Sequence, residues 1–228
     1  MKLSERTLKL LKNYAGINQS IYIRAGNMLS TVSIAKNIYS ETKIEEEFPV
    51  SFAIYDLTEL LNTLKLFNSP ILDFSDAENN YMYICEENDK NFKVRYVFAP
   101  LKQIVYPEKR PNLGITDVNF KLSNDTLSSI MKASNVMQLP NMVITPIDSN
   151  SVNINVTDIK DNSSNKFSIS VDANVEAVSD FNLIFNMDTF KMIPQDYDIG
   201  ISNGRLSSWY NDDVDYVIAL DIKSEYNG

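Results

Sequence analysis

The sequence KLSERTL at residues 2–8 organises the chain, because it returns at residues 121–127 as KLSNDTL. Five of the seven positions are identical, at an offset of 119 residues. In each copy the serine predicts the N-cap of an amphipathic helix, since its side chain accepts a hydrogen bond from an otherwise unpaired N–H of the first turn. A second echo, YVFA at residues 96–99 and YVIA at residues 216–219, has an offset of 120. Two echoes in the same order predict two duplicated halves.

The length and the distribution of proline agree with two domains. A chain of 228 residues can form one large domain or two of about 110 residues each. Three prolines and a glycine lie close together near the middle, and proline at this density excludes a central strand or a helix. We therefore predict an N-terminal domain at residues 1–108, a C-terminal domain at residues 117–228, and a connector at about residues 100–116, of which residues 109–116 separate the two domains.

Composition excludes several kinds of site. The net charge is −9, with 14 basic and 14 acidic residues up to position 110 and 7 and 16 after it. The chain has no histidine, which removes the commonest general base and transition-metal ligand. Cys85 is the only cysteine, so no internal disulfide is expected and a cytoplasmic setting is the default. No apolar run approaches the roughly 20 residues of a membrane span, and the N-terminus lacks the pattern of a secretory signal.

Basic side chains gather on one face of the first predicted helix, at about residues 4–15. Apolar residues at helical spacing form the opposite, inward face. For a single helix, a basic stripe of this kind is more often a solvated surface than a binding site. A second helix follows the capping box at residues 56–59, and its only base is Lys65. The inward face comprises Leu3, Thr7, Leu8, Leu11, Tyr14 and Ala15, and the basic face comprises Lys2, Arg6, Lys9 and Lys12.

The second half repeats this order and completes the fold prediction. A third helix at residues 123–135 directs Lys132 outward, and a short fourth helix at residues 186–193 carries Lys191 and stops at Pro194. Stretches of alternating β-branched and aromatic residues predict strands between the helices. The acidic triplet at residues 45–47 is expected in an exposed turn, and residues 224–228 in a loose tail. The fold class is α+β, with each half a curved antiparallel sheet carrying two helices on one face.

Several segments, taken together, carry a resemblance to a known family. They are MKLSxxTxxLLKN at residues 1–13, AIYDL at 53–57, IVYPEK at 104–109, residues 186–197 with Asn186, Met187, Lys191, Met192, Pro194 and Tyr197, and YVxAL at 216–220. In their joint order and spacing these segments resemble the DNA polymerase sliding clamps, or processivity factors, of T-even-type tailed phages. The resemblance covers the whole chain.

The resemblance implies a DNA clamp fold assembled as a homotrimeric ring in the cytoplasm of the infected cell. Such a ring encircles duplex DNA without reading its sequence, is opened by an ATP-driven clamp loader and tethers the replicative DNA polymerase. Basic helical faces agree with this, since phosphate contacts carry no sequence information. The predicted DNA-binding residues are Arg6, Lys9, Lys12, Lys132 and Lys191.

The connector supplies a second candidate site. Its triplet Ile104, Val105 and Tyr106 is apolar, whereas a purely connecting loop is more often polar. The triplet either packs the connector onto the body or forms one wall of a pocket for partner tails. In the second case the pocket is shared by the polymerase and the loader, and its other wall comprises Val217, Ala219 and Leu220.

Two rival functions come from other classes. An enzyme is disfavoured because the sequence has no nucleophile elbow, no P-loop and no dinucleotide-binding glycine pattern. No catalytic residue, metal site or cofactor is predicted. A non-enzymatic, β-rich phage assembly subunit would explain the strands, but it leaves the basic stripes on the helices unexplained.

Overall fold

Both copies of the repeated heptapeptide begin a helix, as predicted. The computed structural model describes residues 1–161, 163–175, 180–202 and 205–227. Ser4 Oγ accepts a hydrogen bond from the Thr7 N–H at 3.2 Å, and Ser123 Oγ accepts one from the Thr126 N–H at the same distance. The first helix, α1, is Glu5–Ile17 and the corresponding helix of the second half is Asn124–Met137. Identical capping geometry at the two sites confirms the predicted N-caps.

The chain divides into two compact units between Arg110 and Pro111. The predicted boundary lies two residues earlier. Unit 1 contains, besides α1, the strands β1 Ile21–Ile23, β2 Gly26–Val32, β3 Ile38–Phe48 and β4 Phe52–Ile54, the helix α2 Leu57–Leu64, and the strands β5 Pro70–Asp73, β6 Tyr81–Glu86 and β7 Asp89–Val97. Short 3-10 turns lie at Ala77–Asn79 and, within the connector, at Leu101–Gln103.

Within unit 1, β2 pairs with β3, β1 pairs with β4, and β5, β6 and β7 form a three-stranded sheet, all antiparallel. The helix α2 begins at an N-cap, Asp56, whose Oδ1 accepts from the Glu59 N–H at 3.0 Å. The helices bury Leu11 and Tyr14 from α1 and Leu57 and Leu60 from α2. Leu8 and Ala15, predicted to be inward, are only half-buried, whereas the buried Leu10 was not predicted.

Unit 2 is built on a single antiparallel arrangement of strands in the order β16-β12-β9-β10-β11-β8-β13-β14-β15. The strand β11 bends between two partners, since its first six residues pair with β10 and its last three with β8. The bounds are β8 Val118–Leu122, α3 Asn124–Met137, β9 Asn141–Asp148, β10 Ser151–Thr157, β11 Phe167–Val175, β12 Asp180–Asn186, β13 Tyr197–Ser202, β14 Leu206–Tyr210, β15 Asp215–Ala219 and β16 Glu225–Asn227.

The core of unit 2 is centred on Trp209, which is fully buried. Its ring meets those of Phe190 and Phe185 edge to face, at centroid distances of 5.2 and 6.2 Å. Tyr197 completes this cluster at 6.3 Å. The indole N–H donates to Ser207 Oγ at 2.9 Å, so the one polar atom of the side chain is satisfied inside the core.

The predicted fourth helix at residues 186–193 is wrong. Asn186 does act as a cap, accepting from the Asp188 N–H at 2.9 Å, but only a 3-10 turn at Met187–Thr189 forms. Residues 190–196 then form neither helix nor strand. Phe190, Met192 and Ile193 are all buried, and their spacing does not form one helical face. Two tyrosine hydroxyls make the hydrogen bonds that the backbone of Ile193 would otherwise make within a helix. The Tyr216 hydroxyl accepts from the Ile193 N–H at 3.2 Å, and the Tyr197 hydroxyl donates to the Ile193 carbonyl at 2.5 Å.

Two smaller predictions are also wrong. The triplet at residues 45–47 is not a turn but the last part of β3, and Glu46 is half-buried. The tail at residues 224–228 is not loose over its described part, since β16 pairs with β12 and Tyr226 stacks on Phe181 at 6.2 Å. No described helix is long and apolar enough to cross a membrane.

Candidate functional site

The basic face of α1 contains two lysines that project freely and two bases that are already engaged. Lys9 and Lys12 are exposed, and neither makes an ion pair or a side-chain hydrogen bond within the described residues. Arg6 is half-buried, and its Nη1 donates to the Lys43 carbonyl at 3.0 Å. Lys2 pairs with Glu87 at 2.8 Å in an exposed ion pair, which contributes little stability. On α1, the cations available to a ligand are therefore chiefly Lys9 and Lys12.

A groove of about 770 Å³ lies between α1 and α2, and its rim is basic. Lys9 and Lys12 line it from α1, and Lys65 lines it from the end of α2. Its apolar lining includes Leu8 and Leu61. The sequence pattern places these lysines on two different helices. The packing of α1 against α2 brings them to one surface of unit 1.

In unit 2, Lys132 is exposed in the middle of α3, as predicted. Lys191 is also exposed, but it follows the 3-10 turn at Met187–Thr189 and does not lie on a helix. Lys191 takes part in a further interaction, so it is not counted as a free cation. The assignment of these two lysines to DNA stays a prediction.

The N-terminus of α1 is held by Glu46, a residue that sequence reasoning missed. The Glu46 carboxylate accepts from the Ser4 N–H and from Thr7 Oγ1, the latter at 2.6 Å. Burial alone would raise the pKa of Glu46, but the hydrogen bonds from Thr7 and Ser4 outweigh burial and lower it. A carboxylate at this position also interacts favourably with the helix dipole. The available signal was the alternation of Ile44, Glu46 and Phe48 on one face of β3.

The predicted partner-pocket residues lie partly in the core of each unit. In the connector, Ile104 is 9% exposed, whereas Val105 and Tyr106 are half-buried and retain accessible surface. On β15, Val217 is 3% exposed and Ala219 is half-buried, and Leu220 directly after the strand is 8% exposed. Of the six residues, Val105, Tyr106 and Ala219 therefore offer the most surface to a partner. The pocket itself stays a prediction.

Comparisons with known proteins assign the family. A family model described as DNA polymerase processivity factor matches residues 2–80, and a model described as gp45 sliding clamp, C terminal, matches residues 119–222. The chain belongs to the phage sliding clamps. This clamp is similar to the sliding clamp of Vibrio phage KVP40, with 28% identity over 226 residues that cover 97% of the chain and 99% of the relative. The sliding clamps of Escherichia phage RB69 and Enterobacteria phage T4 are 26% and 25% identical, each over the full length of both chains.

Solved structures show the same fold at lower identity. Proliferating cellular nuclear antigen from Entamoeba histolytica superposes with a TM-score of 0.68 at 13% identity, covering 95% of both chains. A PCNA2–PCNA3 complex from Sulfolobus tokodaii matches with a TM-score of 0.65 at 13% identity, covering 94% of this chain and 95% of that one. The clamp therefore has the predicted α+β DNA clamp fold, with a 3-10 turn in place of the second helix of unit 2. Its function is that of a DNA polymerase sliding clamp.

Proposed function

We propose that three copies of this clamp close head to tail into a ring that encircles duplex DNA and tethers the replicative DNA polymerase. An ATP-driven clamp loader opens the ring, and the assembly works in the cytoplasm of the infected host cell. The clamp itself carries no catalytic role and needs no cofactor. The observation that supports a ring most strongly is an unpaired strand edge in each unit.

In unit 1 one such edge is β7, whose only strand neighbour among the described residues is β6. Phe92 is 53% exposed on this strand, and Val97 is 61% exposed. In unit 2 one such edge is the first part of β11, where described residues 167–172 pair with β10 alone. Exposed edges with apolar side chains are liabilities in a monomer. Pairing β7 of one copy with β11 of the next would cover both edges.

Charge also favours this pairing over a two-fold contact between like strands. Lys93 and Arg95 are exposed on β7, whereas the charged residue of β11 is the exposed Asp172. Two β7 strands brought together would place like charges side by side, which is unfavourable. Two different edges meeting head to tail form a heterologous interface, which generates a ring when the rotation closes.

DNA contact is assigned to Arg6, Lys9, Lys12, Lys132 and Lys191. In a closed ring these side chains would contact phosphates transiently and without reading bases, as sliding requires. Lys9 and Lys12 are the strongest candidates, because their ammonium groups have no partner among the described residues and share a rim with Lys65. The polymerase and the loader are assigned to the connector site, where they would contact Val105 and Tyr106.

The oligomeric state is tested by multi-angle light scattering of the purified clamp. We expect a molar mass of about 78 kDa, three times that of the 25.9 kDa chain. A stable monomer at micromolar concentration, or a dimer with a two-fold interface, would contradict the ring.

A further inference from the structure

Arg24, which follows β1, attaches the first half of the connector to the body of unit 1. Arg24 Nη2 donates to the Pro107 carbonyl at 2.7 Å, and Nη1 reaches Ser30 Oγ at 3.4 Å. The guanidinium carbon also lies 5.2 Å from the ring centre of Tyr22 and 5.9 Å from that of Tyr106. The two tyrosine rings are 5.1 Å apart. One side chain thus bonds the connector backbone and contacts its aromatic residue.

We infer that Arg24 is a positioning residue that holds residues 105–107 in the conformation that a partner's tail meets. The inference rests on the proposed function for its partner, a peptide tail with apolar or aromatic anchors. Only arginine combines a planar cation that stacks on tyrosine with several donors fixed in different directions. A lysine at this position could keep the charge near the rings but could not make both hydrogen bonds in the same geometry.

Two other side chains hold the connector, but each is less specific to residues 105–107. Asn18 Nδ2 donates at 2.9 Å both to the Val105 carbonyl and to the Val32 carbonyl, so its loss would also disturb β2. Arg110 Nη1 pairs with Glu41 Oε1 at 3.2 Å, in a partly exposed ion pair of low expected strength. Arg24 is half-buried, and its 2.7 Å bond to the Pro107 carbonyl is much shorter than its 3.4 Å contact with Ser30 Oγ on β2, so its replacement acts mainly on the connector.

Holding the connector in place matters because binding is weakened by the cost of ordering a mobile segment. A partner that meets an ordered wall does not have to restrict the connector as it binds. If the connector occupies the competent conformation for only a fraction of the time, the apparent affinity falls by that fraction. Val105 and Tyr106 are therefore the contacts, whereas Arg24 acts through them.

The test compares Arg24→Gln and Arg24→Lys with the control Lys160→Gln, which removes one exposed cation from unit 2. Connector mobility is measured as the rate of tryptic cleavage after the exposed Lys109, because cleavage requires the backbone around it to open and fit the protease. Partner binding is measured by calorimetry with a polymerase C-terminal peptide. Thermal melting identifies any variant that fails to fold. If Arg24→Gln fails to fold, Arg24→Lys, which keeps the positive charge, provides the test instead.

We expect Arg24→Gln to accelerate cleavage after Lys109 roughly tenfold and to weaken peptide binding roughly tenfold. Arg24→Lys should lie between this variant and the native clamp, and the control should match the native clamp. Unchanged cleavage in Arg24→Gln, or faster cleavage with unchanged peptide affinity, would overturn the inference. Tyr106→Ala separates the two proposals. If Tyr106→Ala weakens peptide binding and Arg24→Gln does not, the proposed pocket is supported and the proposed role of Arg24 is wrong. If neither variant weakens the peptide, the proposed pocket itself is wrong.

Discussion

Replacing Glu46 with glutamine tests whether β3 supplies the electrostatic cap of α1. The native carboxylate accepts from the Ser4 N–H and from the Thr7 hydroxyl at 2.6 Å. A hydrogen bond to a charged group contributes about 1.5–3 kcal/mol, and a neutral one about 1 kcal/mol. Glutamine keeps one acceptor but loses the charge that interacts with the helix dipole, worth about 0.3–1 kcal/mol. For a half-buried group we take the lower values and expect Glu46→Gln to lower the free energy of unfolding by about 2 kcal/mol.

The assay is thermal unfolding of the two proteins as a function of pH. At neutral pH a loss of about 2 kcal/mol corresponds to a decrease in Tm of roughly 4–8 °C for a chain of this size. The pKa of folded Glu46 lies below its ordinary value of 4.5. The stabilisation is therefore fully present above that ordinary value and is lost as the pH falls through the lower, folded-state pKa. The difference between native and variant clamps should accordingly shrink in acid.

The matched control is Glu47→Gln, because Glu47 is the exposed neighbour of Glu46 on β3. It removes the same charge without touching the N-terminus of α1, so its Tm should stay within about a degree of the native value. Equal effects of the two variants, or a Glu46→Gln effect that does not diminish in acid, would refute the capping role of Glu46.

Three further outcomes are expected. The triple variant Arg6→Glu, Lys9→Glu and Lys132→Glu should reduce loading and polymerase processivity without changing the oligomer mass. Each lost phosphate contact should lower the salt slope of DNA binding by about 0.9. Native processivity at physiological salt would show that these side chains face elsewhere. Tyr106→Ala should weaken a polymerase C-terminal peptide at least tenfold, about 1.4 kcal/mol, while an unchanged affinity in calorimetry would place the pocket elsewhere. Phe92→Asp should shift the ring toward monomers in light scattering, and an intact trimer would exclude β7 from the interface.

Local signals in the sequence predicted most of the fold, because they depend on a few neighbouring residues. The serine caps and the helices that they begin follow from contacts three residues away. The fourth helix failed because its segment is governed by distant partners. The hydroxyls of Tyr197 and Tyr216 satisfy the backbone of Ile193, and the burial of Phe190 against Trp209 outweighs helix formation. Such tertiary contacts leave no periodic pattern in the segment itself.

For the candidate sites too, the sequence identified individual residues but not the tertiary contacts between them. The sequence identified Lys9 and Lys12 as members of a basic face, but it also counted Arg6, which is tied to the Lys43 carbonyl. It could not show that α1 and α2 together bring three lysines to the rim of one groove. In the connector the apolar triplet was found, whereas the residue that holds it, Arg24, lies about 80 positions earlier in the chain. Contacts over such separations depend on the packed fold.

The central claim, that the clamp acts as a closed ring around DNA, is tested most directly by its retention on circular and linear DNA. The clamp is loaded with its loader and ATP onto nicked circular duplex, washed at a salt concentration that screens phosphate contacts, and the DNA is then cut once. A ring held by topology stays on the circle through the wash and leaves when the circle is cut. Loss from the intact circle at the same rate as from linear DNA would contradict the account.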